Sequence, residues 1–407
     1  MRCPAGPVEE IEGVTPVEIR FAGRMDGFEP GIFNVLDERK NERLAQGRPV
    51  YNLSIGTPDF LPEPHIVEAL SRAAADPNNY RYSLGETAEL TQAVQSWYQR
   101  RYGVELAPDE LMVVYGSQEG LTHIGWTMCD PGDVVLVPDP GYPIFELGPY
   151  LCGARCVHYP LLEENGYLPD LEHFDPDLAE KARFMVVSYP ANPLGVTAPD
   201  DFYSRLIAFA KKHSIVIVHD NAYSDIIFDG RVGKSFLAFE GAKEVGVEFN
   251  SLSKTYNLTG ARVSFVLGSR EVVGAFKRLR SQIDYGMFLP IQHAAAAALN
   301  GPQDSVARNR AEYQARRDAL CGGLRAIGWN VPDSQGSMFV WAPLPAGYTS
   351  SADFCFELLD RTGLLCTPGA AFGPLGEGHV RFALVRPVPV INEIVSSVKA
   401  GGIPGGG

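Results

Sequence analysis

The sequence lacks an excess of basic residues and lacks any apolar run long enough to cross a membrane. Its 407 residues carry a formal net charge of −14, whereas a nucleic-acid-binding surface would be basic. No apolar run approaches the roughly 18–20 residues of a membrane span. We therefore expect neither a nucleic-acid nor a membrane partner, although a few arginines can still make one pocket attractive to an anionic small molecule.

Metal-binding and targeting signals are missing as well. Seven cysteines occur without a C-x-x-C pair, so we expect reduced thiols and no metal site. The N-terminal stretch MRCPAGPVEEIEGV lacks the apolar core of a signal peptide, and we expect a cytoplasmic protein. Neither G-x-G-x-x-G after a first strand nor G-x-x-x-x-G-K occurs, which argues against a dinucleotide enzyme.

The sequence does contain short apolar runs that alternate with helical patterns. Seven runs read as buried strands, at residues 111–115, 133–138, 154–160, 184–190, 215–220, 247–253 and 262–268. Helical patterns occupy residues 118–128, 202–213 and 271–284, the second with Asp200 and Asp201 as candidate N-caps. Strands without polar alternation, separated by helices, are typical of an α/β fold whose mostly parallel sheet is covered on both faces.

The two ends of the chain do not follow this alternation of apolar strands and helices. Residues 303–328 form a long charged helical stretch, followed by the strand and helix patterns of a smaller α+β lobe. Residues 31–47 read as an amphipathic helix, and residues 50–60 read as a strand that runs into a loop. We expect the two ends to build the second lobe together.

Distinctive residues follow the predicted strands, where ligands of open α/β sheets bind. GSQEGL opens a helix with a glycine and Ser117, which suits a phosphate group, although a routine helix start has the same sequence. Tyr142 lies in the turn PDPGYP and either presents its ring to a ligand or packs within the loop. Asn192 in YPANPLG either binds a ligand through its amide or holds the turn.

Charged residues follow the later strands. Asp220 ends one strand and needs a cationic partner if it is buried, with Tyr223 three residues further on; alternatively, it caps a turn. Lys254 lies between hydroxyl residues and Arg262, whose guanidinium suits a phosphate dianion. A lysine in an apolar, cation-rich pocket becomes nucleophilic, although most lysines are simply solvated.

One ligand accounts for all these residues together. A phosphate would use the helix start and Arg262, an aromatic ring would use Tyr142, and a ring cation would use Asp220. A phenolic oxygen would use Asn192 and Tyr223, and an aldehyde would use Lys254. That ligand is pyridoxal 5′-phosphate (PLP), whose chemistry needs a lysine Schiff base and a carboxylate at the ring nitrogen.

The stretch S-x-S-K-(x)₇-R at residues 251–262, after N-P-x-G at 192–195 and D-x-x-Y at 220–223, resembles class I/II aminotransferases of PLP fold type I. The resemblance implies that Lys254 carries the Schiff base and shuttles the substrate proton, while Asp220 pairs with the pyridine nitrogen. It also implies that Asn192 and Tyr223 contact the phenolic oxygen and that Tyr142 stacks on the ring. The phosphate-binding residues implied in this way are Ser117, Gln118, Ser251, Ser253 and Arg262.

Three further residues are assigned by the same resemblance. Tyr82 matches a tyrosine that family members lend to the phosphate of the neighbouring subunit, which implies a homodimer with shared active sites. Arg381 matches the arginine that binds the substrate α-carboxylate, and Gly56 together with Asn192 lies near that carboxylate. The stretches at 25–60 and 373–385 are most similar to a branch of LL-diaminopimelate aminotransferases and of general dicarboxylic and aromatic aminotransferases.

The resemblance also suggests how the chain is divided. We predict an N-terminal arm and part of the small domain at residues 1–60, a large PLP-binding domain at 61–300 with a seven-stranded sheet, a C-terminal small domain at 301–400 and a disordered tail at 401–407. A dicarboxylic substrate would need a second cation, and Arg20, Arg24 and residues 283–288 are the places where we look for it.

The implied reaction is a ping-pong transfer of the amino group from an amino acid to a 2-oxo acid. A PLP-dependent C–S β-lyase on the same fold is the alternative, because it uses the same lysine and aspartate. A PLP-binding regulator would carry a DNA-binding module ahead of this domain, and the N-terminal extension is too short and too acidic for one.

Overall fold

The computed structural model describes residues 18–28 and 32–403 of the chain. Within them the strands are, in chain order, β1 (Tyr51–Asn52), β2 (Leu111–Val114), β3 (Val134–Asp139), β4 (Arg155–Pro160), β5 (Ala182–Ser188), β6 (Val216–Asp220), β7 (Gly246–Ser251), β8 (Ser264–Gly268), β9 (Phe339–Pro343), β10 (Leu364–Leu365), β11 (Thr367–Pro368) and β12 (His379–Ala383). The α-helices are α1 (Ile32–Ala45), α2 (Pro64–Ala75), α3 (Ala88–Tyr102), α4 (Ser117–Met128), α5 (Ile144–Cys152), α6 (Pro176–Lys181), α7 (Asp200–His213), α8 (Ala242–Val245), α9 (Leu252–Thr255), α10 (Arg270–Arg280), α11 (Leu289–Asn300), α12 (Asp304–Ala326), α13 (Ser351–Thr362) and α14 (Val388–Ala400). None of the helices in these residues has both the length and the apolar composition that crossing a membrane requires.

Seven strands form one sheet in the order β2-β8-β7-β6-β5-β3-β4. All of them run in one direction except β8, which is antiparallel to both of its neighbours. Each predicted apolar run becomes one strand, so the predicted mostly parallel seven-stranded sheet is confirmed. Because β2, β3, β5, β6 and β7 share a direction, their carboxyl ends meet at one edge of the sheet, where ligands bind in such folds.

Both faces of the sheet are covered by helices, which explains why its strands lack polar alternation. Val135 and Val137 of β3 pack in one core with Phe145 of α5. Leu136 between them points to the other face and packs in the core that contains Phe202 of α7. Burying one side chain of this size contributes about 1.5–3 kcal/mol, so every position of such a strand favours an apolar residue.

The start of α7 differs from the prediction that Asp200 and Asp201 are its N-caps. The cap position is Pro199, and no side chain caps the helix there. Asp200 and Asp201 are instead the first two helical residues, and Asp200 forms an ion pair with Lys234. The N-cap prediction was therefore wrong, because acidic residues are also favoured in a first turn, next to the positive end of the helix dipole.

The smaller lobe contains segments from both ends of the chain. β1 pairs in parallel with β10, with Tyr51 opposite Leu364, and β11-β12-β9 form an antiparallel sheet. α1 contacts α13, and among the described side chains of α1 only Leu36 and Arg43 are buried. The apolar face predicted for this helix is therefore narrow.

The C-terminal end of the described chain is packed. Ile403 is only 1% exposed and belongs to the core of the smaller lobe. Ile403, two residues beyond the predicted start of the tail at residue 401, is thus still packed, and residues 404–407 lie outside the described part.

Candidate active site

A cavity of about 670 Å³ opens at the carboxyl edge of the sheet, between the two lobes. Every predicted site residue except Tyr82 lines it, namely Gly56, Ser117, Gln118, Tyr142, Asn192, Asp220, Tyr223, Ser251, Ser253, Lys254, Arg262 and Arg381. Tyr82 is 74% exposed outside this cavity, where its ring packs against Tyr285 at 4.9 Å.

Lys254 projects into the cavity from the single turn of α9, which follows β7 directly. Its Nζ donates a hydrogen bond to the carbonyl oxygen of Gly56 at 2.5 Å. Burial lowers the pKa of Lys254 to about 8, and the positive charges of Arg381 and Arg262 act in the same direction. About a tenth of this amine is therefore uncharged at pH 7, far more than of an ordinary lysine, and the uncharged amine is the form that acts as a nucleophile and a base.

Asp220 is the last residue of β6 and is 6% exposed. Its buried Oδ1 has no hydrogen-bond partner among the described residues. Burial raises the pKa of Asp220 to about 6, although the backbone N–H of Ala222 and the neighbouring Lys254 lower it. Such a carboxylate fits a cationic N–H donor, because the donor would satisfy the unpaired oxygen and compensate the buried charge.

The turn between β2 and α4 lies beside Arg262. Gly116 has φ +85°, and a Cβ at this position would lie 2.0 Å from Nη2 of Arg262, so only glycine lets the guanidinium approach the turn. Arg262 donates to the carbonyl oxygens of Thr259 at 2.9 Å and Tyr115 at 3.5 Å, which hold its planar group. The buried Oγ of Ser117 has no partner among the described residues.

This end of the cavity has the donors that a phosphate dianion requires. The free N–H groups at the start of α4, the Ser117 hydroxyl and the Arg262 guanidinium face one space. Ser251 is held behind them, since its Oγ accepts from the backbone N–H of Ser253 at 3.1 Å and from Ser264 Oγ at 2.8 Å.

Arg381 of β12 forms the opposite, small-lobe wall. Its Nη1 donates to Oδ1 of Asn192 at 2.8 Å, and its Nη2 donates to the carbonyl oxygen of Ser54 at 2.8 Å. Its guanidinium lies 4.1 Å from the ring centre of Phe339 and 4.6 Å from that of Phe372. Burial lowers the pKa of Arg381 to about 10, and no carboxylate among the described residues pairs with it. A buried guanidinium held in this way fits a ligand carboxylate.

The remaining predicted residues lie between these two ends. Tyr142 follows β3 and packs edge-on against Phe145 at 6.0 Å. Tyr223 is 6% exposed, and burial raises the pKa of its hydroxyl well above the usual value. The hydrogen bond from Arg381 to Asn192 was not predicted, and it links the loop after β5 to the small-lobe wall of the cavity.

Sequence reasoning missed the two phenylalanines that enclose Arg381. Phe339 and Phe372 are 33 positions apart in the sequence, and neither stretch has a composition that predicts contact with an arginine. The two arginines considered as a second cation for a dicarboxylic substrate do not line the cavity. Arg20 pairs with Glu18, and Arg24 donates to the carbonyl oxygen of Leu151. Residues 283–288 also lie outside it.

Taken together, the donor set fits PLP. The unpaired Asp220 oxygen suits its ring N–H, the α4 start and Arg262 suit its phosphate, and the partly uncharged Lys254 suits its aldehyde.

Comparison with known proteins agrees with this description. Residues 48–397 match the family model for aminotransferases of class I and II. An LL-diaminopimelate aminotransferase of Dehalococcoides mccartyi is 43% identical over 371 residues, covering 91% of this chain and 95% of the relative. A second one, from Halothermothrix orenii, is 41% identical over 380 residues, covering 93% of this chain and 97% of the relative.

Solved structures give the same result. The substrate-bound structure of BacF from Bacillus subtilis has a TM-score of 0.90 at 35% identity and covers 94% of this chain and 98% of its own. The structure of a probable N-succinyldiaminopimelate aminotransferase from Thermus thermophilus has a TM-score of 0.86 at 32% identity, and the match covers 91% of this chain and 100% of that structure's chain. With this fold and these relatives, the chain belongs to the class I and II aminotransferases, which are PLP-dependent transaminases.

Proposed function

We propose that each of the residues lining this cavity has a separate role in transamination, given by its position in the cavity. Asp220 holds the ring nitrogen of PLP, the start of α4 and Arg262 hold its phosphate, and Lys254 meets its aldehyde. The observation that carries this proposal is that a buried carboxylate with one unpaired oxygen and a lysine of lowered pKa share one cavity.

PLP, when bound, supplies an aldehyde for imine exchange and a ring that withdraws electrons from the substrate Cα. Arg381 binds the α-carboxylate of the amino acid and, with Asn192, orients the Cα–H bond toward Lys254. The uncharged amine of Lys254 accepts the Cα proton and delivers it to C4′. Asp220 stays ionised and keeps the ring nitrogen protonated, and Tyr223 donates to the phenolic oxygen.

The same residues run the reverse sequence with a 2-oxo acid in the second half-reaction. Arg381 binds the carboxylate of the oxo acid, and Lys254 returns a proton to its Cα. One carboxylate site and one lysine therefore serve both substrates in turn, which is what a ping-pong exchange requires.

For the amino donor we propose LL-diaminopimelate, with 2-oxoglutarate as acceptor. The support is similarity to aminotransferases of that name at 40–43% identity over more than nine-tenths of this chain. The cations among the described lining residues are Lys254, Arg262 and Arg381, and each has a role above. The described lining therefore leaves no further cation for the distal carboxylate of either substrate, and the choice of donor and acceptor rests on the relatives.

A donor panel tests this choice. LL-diaminopimelate, aspartate, alanine and the aromatic amino acids are supplied with 2-oxoglutarate, and glutamate is measured. We expect the highest kcat/KM with LL-diaminopimelate, and a higher value for an aromatic amino acid would contradict the proposed donor. The relatives favour transamination over the β-lyase alternative, which would release pyruvate and ammonia from a cysteine conjugate without an acceptor.

We also propose a homodimer in which Tyr82 reaches the phosphate of the partner subunit's cofactor. The support is a cluster of exposed apolar side chains around it, Tyr80, Tyr82, Leu84, Tyr285 and Phe288, with exposures of 65, 74, 77, 59 and 40%. Apolar side chains clustered in this way are typical of subunit contacts. A cytoplasmic location is proposed with less direct support, namely that the six described cysteines are all free thiols.

Mixing two inactive variants tests the shared site. Refolded mixtures of Tyr82→Ala and Lys254→Ala contain heterodimers in which one site has both a native Lys254 and a native Tyr82. We expect such mixtures to regain activity that neither variant has alone. If no mixture exceeds the more active of its two parents while size analysis shows heterodimers, the shared site is refuted.

A further inference from the structure

Behind the cavity wall lies a buried carboxylate to which no role has been assigned. Asp225 is 5% exposed, and its two oxygens are bonded in different directions. Thr255 Oγ1 donates to Oδ2 at 3.0 Å, and Arg101 Nε donates to Oδ1 at 3.0 Å. Because both oxygens are paired and the charge is compensated, the group meets the requirement for burying an ion.

Arg101 connects this carboxylate to the large lobe. It lies near the end of α3, and its Nη1 donates to the carbonyl oxygen of Gly233 at 3.1 Å. Its guanidinium also lies 4.7 Å from the ring centre of Tyr102, whose hydroxyl is 2.6 Å from Oγ of Ser224. Asp225 therefore has a rigid anchor on the side away from the cavity.

On the cavity side, Asp225 holds two segments that carry proposed catalytic groups. It follows Tyr223 by two residues, and its partner Thr255 follows Lys254 directly. α9 has only four residues, and a helix of one turn does not hold its own shape. Its first residues are capped by Ser251, and its far end is fixed by the hydrogen bond from Thr255 to Asp225 together with the one from the Tyr256 hydroxyl to Gln303 Oε1 at 2.6 Å.

We propose that Asp225 is a positioning residue that, through Thr255, holds the Lys254 amine in place opposite Tyr223. This inference rests on the proposed roles of Lys254 and Tyr223. Without the Thr255 hydroxyl, the turn loses its link to Asp225 beside Lys254, and the amine of Lys254 gains access to water. The charged groups that face Lys254 are Arg381, Arg262 and Asp220, and none of them is altered by a substitution at Thr255.

The test compares Thr255→Val, which removes the hydroxyl at nearly constant volume, with Thr255→Ser, which keeps it. Full-length protein without added cofactor is treated with 2,4,6-trinitrobenzenesulfonate across a pH series, and labelling of Lys254 is followed by peptide mass spectrometry. We expect a labelling midpoint near pH 8 for the wild type and for Thr255→Ser. For Thr255→Val we expect a midpoint higher by roughly one pH unit, because the amine is better solvated.

Thr362→Val is the matched control. Thr362 is buried in the smaller lobe, and its hydroxyl donates to the carbonyl oxygen of Leu358 at 2.6 Å. The Thr362→Val variant loses a comparable hydroxyl far from Lys254, so the pH midpoint of its Lys254 labelling should equal that of the wild type. Thr255→Ala serves in place of the valine variant if valine does not fold. A folded variant without the hydroxyl that labels like the wild type overturns the proposal.

Steady-state kinetics gives a second readout. Arg381 is untouched, so Thr255→Val should lower kcat about tenfold and change the donor KM less than about twofold, and Thr255→Ser should restore kcat. The labelling experiment uses neither cofactor nor substrate. Its result therefore stands even if transamination of every donor fails, which separates failure of this inference from failure of the proposed function.

Discussion

Replacing Asp220 with asparagine should stabilise the cofactor-free protein while it weakens PLP binding. The side chain is almost fully buried, and burial raises its pKa from 3.8 to about 6. A raised folded-state pKa means that the associated stability is fully present below pH 3.8 and is lost as pH rises through about 6. At pH 7.5 the difference corresponds to about 3 kcal/mol of lost stability, from roughly 1.4 kcal/mol per pKa unit.

Asparagine has nearly the same shape and no charge, so Asp220→Asn should recover up to about 3 kcal/mol at pH 7.5 and about half of that at pH 5. Urea unfolding of the cofactor-free wild type and variant at one protein concentration measures the difference at both pH values. Fluorescence titration with PLP should show weaker binding by the variant. A variant that is no more stable at pH 7.5, or whose gain does not shrink at pH 5, would refute the assignment of a buried, uncompensated charge.

Three further substitutions test the walls of the cavity. Arg381→Ala should raise the donor KM about 100-fold with PLP affinity unchanged, since a charge-assisted bidentate pair contributes about 3 kcal/mol, and Arg381→Lys should recover only part of the loss; an unchanged KM would remove the carboxylate role. Tyr142→Ala should weaken PLP binding about tenfold in a fluorescence titration, whereas Tyr142→Phe keeps the ring and should bind normally; equal affinities in all three proteins would contradict the stacking role. Lys254→Ala should abolish glutamate formation in the coupled assay while the far-UV circular dichroism stays that of the wild type.

That the residues proposed to bind the cofactor would line one cavity could be predicted from the sequence, because they follow closely on strand ends. Asp220 ends β6, and Lys254 comes three residues after the end of β7. In a parallel sheet these ends necessarily meet, so strand prediction alone brings the residues together. The sheet itself was predictable for a related reason, since strands buried on both faces leave an unmistakable apolar run.

The surroundings of Arg381, the proposed substrate-binding residue, were harder to predict from the sequence. Phe339 and Phe372 enclose Arg381 only after β9 and β12 pair, and the contact depends on side-chain directions that no local pattern encodes. Asp225 follows the D-x-x-Y motif by two residues, and Thr255 lies within the S-x-S-K-(x)₇-R stretch. Neither motif predicts their hydrogen bond, which joins positions 30 residues apart. The N-cap of α7 was misplaced because a capping aspartate and a first-turn aspartate look alike in sequence.

The central claim is that one amine, that of Lys254, bonds to the aldehyde of PLP. The direct measurement is to incubate the protein with PLP, reduce it with borohydride, digest it and locate the pyridoxyl group by peptide mass spectrometry. The group should be found on Lys254 at about one per chain and should be absent from Lys254→Ala. Attachment to a different lysine, or equal labelling of the alanine variant, would contradict the account.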